Sequence, residues 1–164
     1  MATTPAILTI LDKVEARLTK ITTANGYHTT VAKVERGRLE PYQGYDLPAI
    51  NYWLTTVRNE KNAYGQDQRT PSLYIEYHDL TRDESFVDQA SKLAADVVTV
   101  LNRHPDNPAV DDDPDYNLGE AVTDLRLSGY DYQIGKSDKP WCGALIRFEI
   151  EYQTDSMDMF NYEQ

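Results

Sequence analysis

The sequence has very little cysteine and no long apolar run. Cys142 is the single cysteine among 164 residues, so no disulfide can form within the chain and a reducing compartment is favoured. No stretch of about 18 apolar residues occurs, so we expect no membrane-spanning segment. Residues 1–10 contain no Lys or Arg and lead into a helical pattern, which argues against a signal peptide.

The motifs that bind phosphate or zinc are also missing. The eight glycines never form a GxGxxG or Walker loop. The histidines, His28, His78 and His104, share no ligand spacing, and Cys142 has no basic pattern beside it that would lower its thiol pKa. We therefore expect a protein that is not an enzyme and that carries no cofactor.

A calcium loop fails on its spacing. Asp111, Asp113 and Asp115 alternate as the first ligands of an EF-hand do. The sixth position is Tyr116 instead of Gly, and the twelfth is Val122 instead of a bidentate Glu. The sequence predicts no metal site here, and a solvated acidic segment is the simpler interpretation.

Positive charge is scarce in the second half of the chain. The chain has 16 Lys and Arg against 27 Asp and Glu, which gives a net charge of −11. Residues 1–80 carry no net charge, because they contain 9 basic and 9 acidic side chains. Between His104 and Asp124 no Lys or Arg occurs among seven acidic residues. Such a surface repels phosphate, which disfavours binding to nucleic acid and to anionic lipid. The patch that we single out comprises Asp111, Asp112, Asp113, Asp115 and Glu120.

Two amphipathic helices are predicted. The first has an apolar stripe from Ile7 to Ile21, with Thr4 as its N-cap, Pro5 at its first position and Asn25-Gly26 after its end. The second spans about residues 85–103, because apolar residues recur there at helical spacing and Pro105 stops it.

Five strands are predicted, over about residues 27–35, 49–57, 72–80, 125–134 and 144–153. The apolar face of the fourth changes parity at Ser128-Gly129, which indicates a β-bulge. The order α-β-β-β-α-β-β predicts an α/β (α+β) fold in which two helices pack on one mixed, mainly antiparallel sheet. Residues 1–154 form a single domain in this interpretation, and residues 155–164 a mobile tail.

A long polar connection separates the second and third strands. Residues 59–70 predict a hairpin with a long arm, and long connections of this kind are usually functional or disordered. The candidate contact residues of this arm are Asn62, Tyr64, Gln66 and Arg69.

With these elements in order, residues 5–154 resemble the tail terminator proteins of long-tailed bacteriophages, also called minor tail or tail completion proteins. The resemblance rests on the order and spacing of features. These are the helix ending in Asn25-Gly26-Tyr27, then Thr29-Thr30-Val31, Val34-Glu35-Arg36-Gly37, Leu47-Pro48-Ala49-Ile50, the long-armed hairpin, the second helix and a last strand ending Tyr152-Gln153-Thr154.

The resemblance implies a structural virion protein in the head-proximal neck of the tail, assembled in the host cytoplasm. Such proteins form a six-membered homo-oligomeric ring that caps the tail tube, ends tube polymerisation and meets the head-neck connector or stopper protein. Genomic DNA passes through the channel without specific binding, and no membrane is involved. The acidic patch then lines the channel, faces outward into solvent, or matches a basic partner ring.

Other functions are open at this point. A head-completion or stopper protein shares the assembly role. An acidic DNA-mimic inhibitor or a small enzyme belongs to a different class, and crowding of the acidic residues into one segment argues against mimicry.

Overall fold

The computed structural model describes residues 5–61, 64–81, 85–102, 117–135 and 140–154. The tail 155–164 and most of the acidic segment lie outside the described residues. The order α-β-β-β-α-β-β is confirmed. The elements are α1 (Ala6–Leu18), β1 (Lys33–Arg36), β2 (Ala49–Lys61), β3 (Asp67–Leu80), α2 (Phe86–Asn102), β4 (Asp124–Gly135) and β5 (Trp141–Thr154).

The strands form one sheet in the order β1-β2-β3-β5-β4. Strand β1 pairs with β2 in parallel, and the other three pairings are antiparallel. The predicted fold class, a mixed and mainly antiparallel sheet with two helices, is therefore confirmed.

The core lies between the two helices and one face of the sheet. Alternate residues of β3 and β5 are buried on this helix-covered face, as the strict alternation in the sequence predicts. Each large apolar side chain buried there contributes about 1.5–3 kcal/mol. The fully buried members include Ile10, Val14, Leu73, Ile75, Leu93, Val97, Ile146 and Phe148.

The first helix is shorter than its apolar stripe suggests. Pro5 precedes the first helical residue instead of occupying it, and Thr4 lies outside the described residues. The backbone N–H of Ile21 donates to the Leu18 carbonyl, an i→i−3 turn that tightens the chain after the helix. The predicted end of the helix at Asn25-Gly26 is wrong, because Gly26, with φ of 85°, instead caps a separate 3-10 turn over Thr23–Asn25.

The predicted strand over residues 27–35 is wrong in its first half, since only Lys33–Arg36 form β1. The backbone N–H groups of His28 and Thr29 donate to the Asp96 carboxylate on α2, at 2.9 Å each. These groups are therefore satisfied by a side chain of the helix and not by a neighbouring strand.

The predicted polar connection over residues 59–70 is wrong in its extent. The β2–β3 ladder continues to the pair Lys61–Asp67, so most of the segment is paired strand. Polar side chains do not prevent this, because the ladder satisfies backbone groups whatever the side chains are. The long-armed hairpin itself is confirmed.

The predicted bulge in β4 is confirmed, with the register against β5 shifting between Leu127 and Gly129. Directly paired residues of neighbouring strands share a face, so Leu125 opposite Ile150 and Tyr132 opposite Ala144 both lie on the helix-covered face. The extra residue keeps the apolar side chains on one face along the whole strand.

Candidate assembly surfaces

The hairpin arm is the most exposed part of the sheet. We define it as residues 57–61 and 64–71. Every residue of β2 from Thr55 to Lys61 is exposed, and β1 pairs only with residues 49–52 of that strand. The outer edge of β2 along the arm is thus unpaired within the described residues, a feature that favours contact with another chain.

The predicted contact residues of the arm differ in exposure. Tyr64, beside the turn glycine Gly65, is 90% exposed, whereas Gln66 is half-buried. Arg69 is only 8% exposed, with its Nη2 3.7 Å from the Asp67 carboxylate. Arg69 therefore stabilises the arm from within, and Asn62 lies outside the described residues.

Sequence reasoning missed the exposed cations of the arm. Arg58 and Lys61 are exposed on β2 and form no ion pair among the described residues. Whether a basic side chain finds an ion-pair partner depends on the fold. The sequence shows only that this polar segment contains two basic residues.

Of the acidic patch, only Glu120 lies within the described residues. It is exposed, in a turn where Leu118, Gly119 and Glu120 have φ of 53°, 66° and 64°. Burial of the Leu118 side chain offsets the cost of this left-handed backbone, and the Asn117 side chain accepts the Glu120 N–H. Asp111, Asp112, Asp113 and Asp115 are not among the described residues.

A cleft of about 290 Å³ lies on the open face of the sheet, opposite the helices. The loop between β1 and β2 forms one wall and is fixed to the sheet at two points. The Asn51 side chain bonds the backbone of Arg38 in both directions, at 2.8 and 3.0 Å, and the Tyr42 hydroxyl donates to the Ile50 carbonyl at 2.8 Å. We call this feature the loop cleft.

Aromatic rings line the loop cleft. The His78 ring lies 4.4 Å from the ring of Trp141 and 6.5 Å from that of Tyr42, the latter edge-on. A Cβ at Gly143 would lie 2.4 Å from the His78 ring, so glycine there lets the imidazole lie flat on β5. His78 Nε2 also lies 3.1 Å from the Gln133 amide oxygen, which fixes the orientation of the ring.

Negative charge exceeds positive charge around the loop cleft. Glu76 lies in it with Oε1 3.6 Å from His78 Nε2, and no Lys or Arg among the described residues pairs with it. At the rim, Arg38 is held by Glu35 at 2.6 Å and lies over the Tyr42 ring. The cleft and its rim contain four carboxylates against two cations, namely Glu35, Glu40, Asp46 and Glu76 against Lys33 and Arg38.

Two pKa shifts reflect this environment. Burial raises the pKa of the Tyr42 phenol well above its usual range, and the charges of Glu35 and Glu76 add to the effect. The pKa of Asp46 is held below its usual value, chiefly because the backbone N–H of Gln43 donates to its carboxylate. The phenol is thus a neutral hydrogen-bond donor at neutral pH, and Asp46 is charged.

The edge strand β4 exposes a row of apolar residues. Leu127, Tyr130, Tyr132 and Ile134 lie on the helix-covered face but are 37–47% exposed, because α2 covers only part of this edge. The Ser91 hydroxyl of α2 donates to the Tyr132 hydroxyl at 2.8 Å and holds that ring. Adjacent apolar side chains that remain exposed on a sheet edge are typical of an interaction surface.

The buried polar groups fulfil structural roles. Asp96 accepts the hydroxyl of Thr29 at 2.7 Å as well as two backbone N–H groups, and Thr29 in turn contacts the Tyr77 hydroxyl at 2.6 Å. Asp79 accepts from Gln89 at 3.0 Å, and Cys142 is buried. These two carboxylates already accept internal hydrogen bonds, which makes them poorly suited to acid-base chemistry.

Within the parts of the chain that the structure describes, no group of three or more His, Cys, Asp or Glu side chains is arranged to hold a metal ion. Neither described helix is long and apolar enough to cross a membrane. No protein-family model matches the sequence, and no curated protein matches it either.

Proposed function

We propose that this chain is a structural ring subunit of a bacteriophage tail, a tail terminator that caps the tail tube and joins it to the head-neck connector. The observation that carries the proposal is the presence of unlike exposed surfaces on one sheet. The hairpin arm extends one edge, and the half-exposed apolar row of β4 forms the opposite edge. A closed ring requires unlike, complementary surfaces on each subunit, since each copy contacts two neighbours differently.

The fold supports the same proposal. The resemblance to tail terminators implies an α/β domain with a long-armed hairpin, and the sheet, its two helices and the hairpin have this arrangement. The buried carboxylates Asp79 and Asp96 accept internal hydrogen bonds and the single cysteine is buried, in keeping with a protein that acts by association.

The acidic patch belongs to the proposal as the wall of the DNA channel. A negative wall repels phosphate and lets the duplex slide. Images of an assembled ring test this part separately, because an acidic segment on the outer wall would overturn the channel role and leave the ring intact.

Tube polymerisation tests the function directly. Purified tube protein encoded in the same genome is polymerised with and without this chain, and tube lengths are measured by negative-stain electron microscopy. We expect substoichiometric amounts to stop growth and yield short tubes with a ring at one end. Unchanged tube lengths and bare ends would contradict the proposal, whereas rings that bind only the head connector would indicate a stopper protein.

A further inference from the structure

We propose that the loop cleft of one copy binds the Arg58 side chain of a neighbouring copy's hairpin arm. Lys61, on the same arm, lies on the other face of the strand, directly opposite Asp67. The inference rests on the ring of the proposed function, and it specifies the contact that holds neighbouring subunits together.

The chemistry of the loop cleft fits a guanidinium group. Arginine stacks on aromatic faces and pairs with carboxylates, and both are present in the ring of Trp141 and the carboxylate of Glu76, while the Tyr42 ring already carries Arg38. Glu76 is three-quarters buried, and among the described residues its one ion-pair partner is His78, at 3.6 Å. A largely buried carboxylate with so little compensation gains from an incoming cation.

The arm supplies the complementary charge. Arg58 is exposed without an ion pair among the described residues, and it shares its face of the exposed strand with Glu60. Leu39, at the rim of the loop cleft, is 98% exposed and offers apolar area to the arriving arm. Within the described residues, the cation Arg58 and the weakly compensated acid Glu76 are thus carried by separate surfaces of the same chain.

The two surfaces cannot meet within one molecule. Arg58 pairs with Thr70 on β3, and Glu76 lies six residues further along that strand, about 20 Å away at 3.3 Å per residue. An arginine side chain reaches only about a third of that distance. The contact therefore joins two copies. Repeated head to tail it closes into a ring when the rotation permits, whereas a reciprocal exchange of arms would stop at a two-fold dimer.

Complementary variants test the contact in the full-length chain. Arg58→Glu reverses the arm's charge but keeps the cleft, whereas Glu76→Lys reverses the cleft's charge but keeps the arm. By analytical ultracentrifugation, we expect each variant alone to associate at least tenfold more weakly than the unaltered chain. An equimolar mixture should regain part of the association, since the intact arm of one variant meets the intact cleft of the other and the two reversed surfaces are again opposite in charge.

Matched controls separate loss of contact from loss of fold. Glu151→Lys reverses a half-buried carboxylate elsewhere on the open face, and Lys20→Glu reverses an exposed cation outside the arm, so both should assemble normally. Glu76→Gln keeps the shape of the side chain and should weaken association to a smaller extent. A chain that combines both charge reversals should recover part of the association.

Each outcome decides the inference. Normal assembly of Glu76→Lys, or a mixture of folded variants that stays monomeric while the unaltered chain assembles, would overturn the arm-to-cleft contact but leave the proposed ring in place. An unaltered chain that stays monomeric at every concentration, alone and on tubes, would overturn both.

Discussion

At the scale of single residues, buried polar side chains decide how the first half of the chain joins the second. Asp96 on α2 accepts three hydrogen bonds from His28 and Thr29, more than sixty residues earlier in the chain. This carboxylate, 2% exposed, holds the segment before β1 against the helix. It explains why a β-rich sequence there does not form a strand.

Removing this carboxylate should be costly. We expect Asp96→Ala to lower the free energy of unfolding by about 3 kcal/mol, because it removes a buried carboxylate and leaves two partly buried backbone donors and the Thr29 hydroxyl without this acceptor. Urea denaturation followed by circular dichroism measures the loss. Asp88→Ala, at an exposed position of the same helix, should change stability by no more than about 0.5 kcal/mol. A loss for Asp96→Ala as small as this control would refute the structural role.

Buried phenols predict sensitivity to alkali. Burial raises the pKa of Tyr42, Tyr52, Tyr77 and Tyr152 above the usual value, with hydrogen bonding to Glu15 adding to the effect at Tyr52. A phenol whose folded pKa is raised stabilises the fold fully below its unfolded pKa of about 10, and this stability is lost as the pH rises towards the folded pKa. Stability should therefore fall above about pH 10.

Absorbance of tyrosinate in the near ultraviolet checks this expectation. Of the 12 tyrosines, these four should ionise only together with unfolding, so part of the tyrosinate absorbance should appear in the unfolding transition. A single smooth titration of all tyrosines in the folded protein would contradict the burial that the structure gives them.

At the scale of elements, periodicity in the sequence was most informative where one face of an element is buried. The strict alternation of β5 and the apolar stripe of α2 predicted which face of each element is buried. The parity change at Ser128-Gly129 predicted the bulge. The start of β1 could not be predicted, because its backbone partner is Asp96 from a distant helix. The sequence predicted a loop over much of the arm, because a polar composition does not reveal that the backbone of two strands is hydrogen-bonded.

The loop cleft was beyond sequence reasoning for a related reason. Tyr42, Glu76, His78 and Trp141 come from a loop and two strands, with no fixed spacing in the chain. Their proximity follows from the β3–β5 register, which places His78 beside Gly143, and from the bonds of Asn51 to the loop. Of the three predicted arm residues that the structure describes, Tyr64 is highly exposed, whereas Gln66 is half-buried and Arg69 is buried.

The bulge in β4 has a measurable role. Deleting Ser128 should turn Tyr130, Tyr132 and Ile134 to the open face or force a register slip, and should cost about 2 kcal/mol or more. Thermal unfolding of the deletion variant measures this cost. Ser128→Ala keeps the strand length at an exposed position and should leave the melting temperature nearly unchanged. Equal melting temperatures for the deletion and the substitution would show that the bulge does not set the face.

At the scale of the whole molecule, the uneven distribution of charge along the chain fits the proposed ring. The first half of the chain is neutral overall and supplies both the arm and most of the loop cleft, whose opposite local charges would draw two copies together in the contact that we propose. The second half carries the whole net charge of −11. In a ring that conducts DNA, attraction between subunits and repulsion of phosphate are thus separated along the chain.

The central claim is that copies of this chain close into a ring on the end of a tail tube. Cryo-electron microscopy of tube ends, assembled from the tube protein of the same genome with this chain present, is its most direct test. We expect class averages of one tube end to show a closed ring of about six copies, with each hairpin arm seated on the next subunit. Bare tube ends, or copies bound as isolated monomers, would contradict the account.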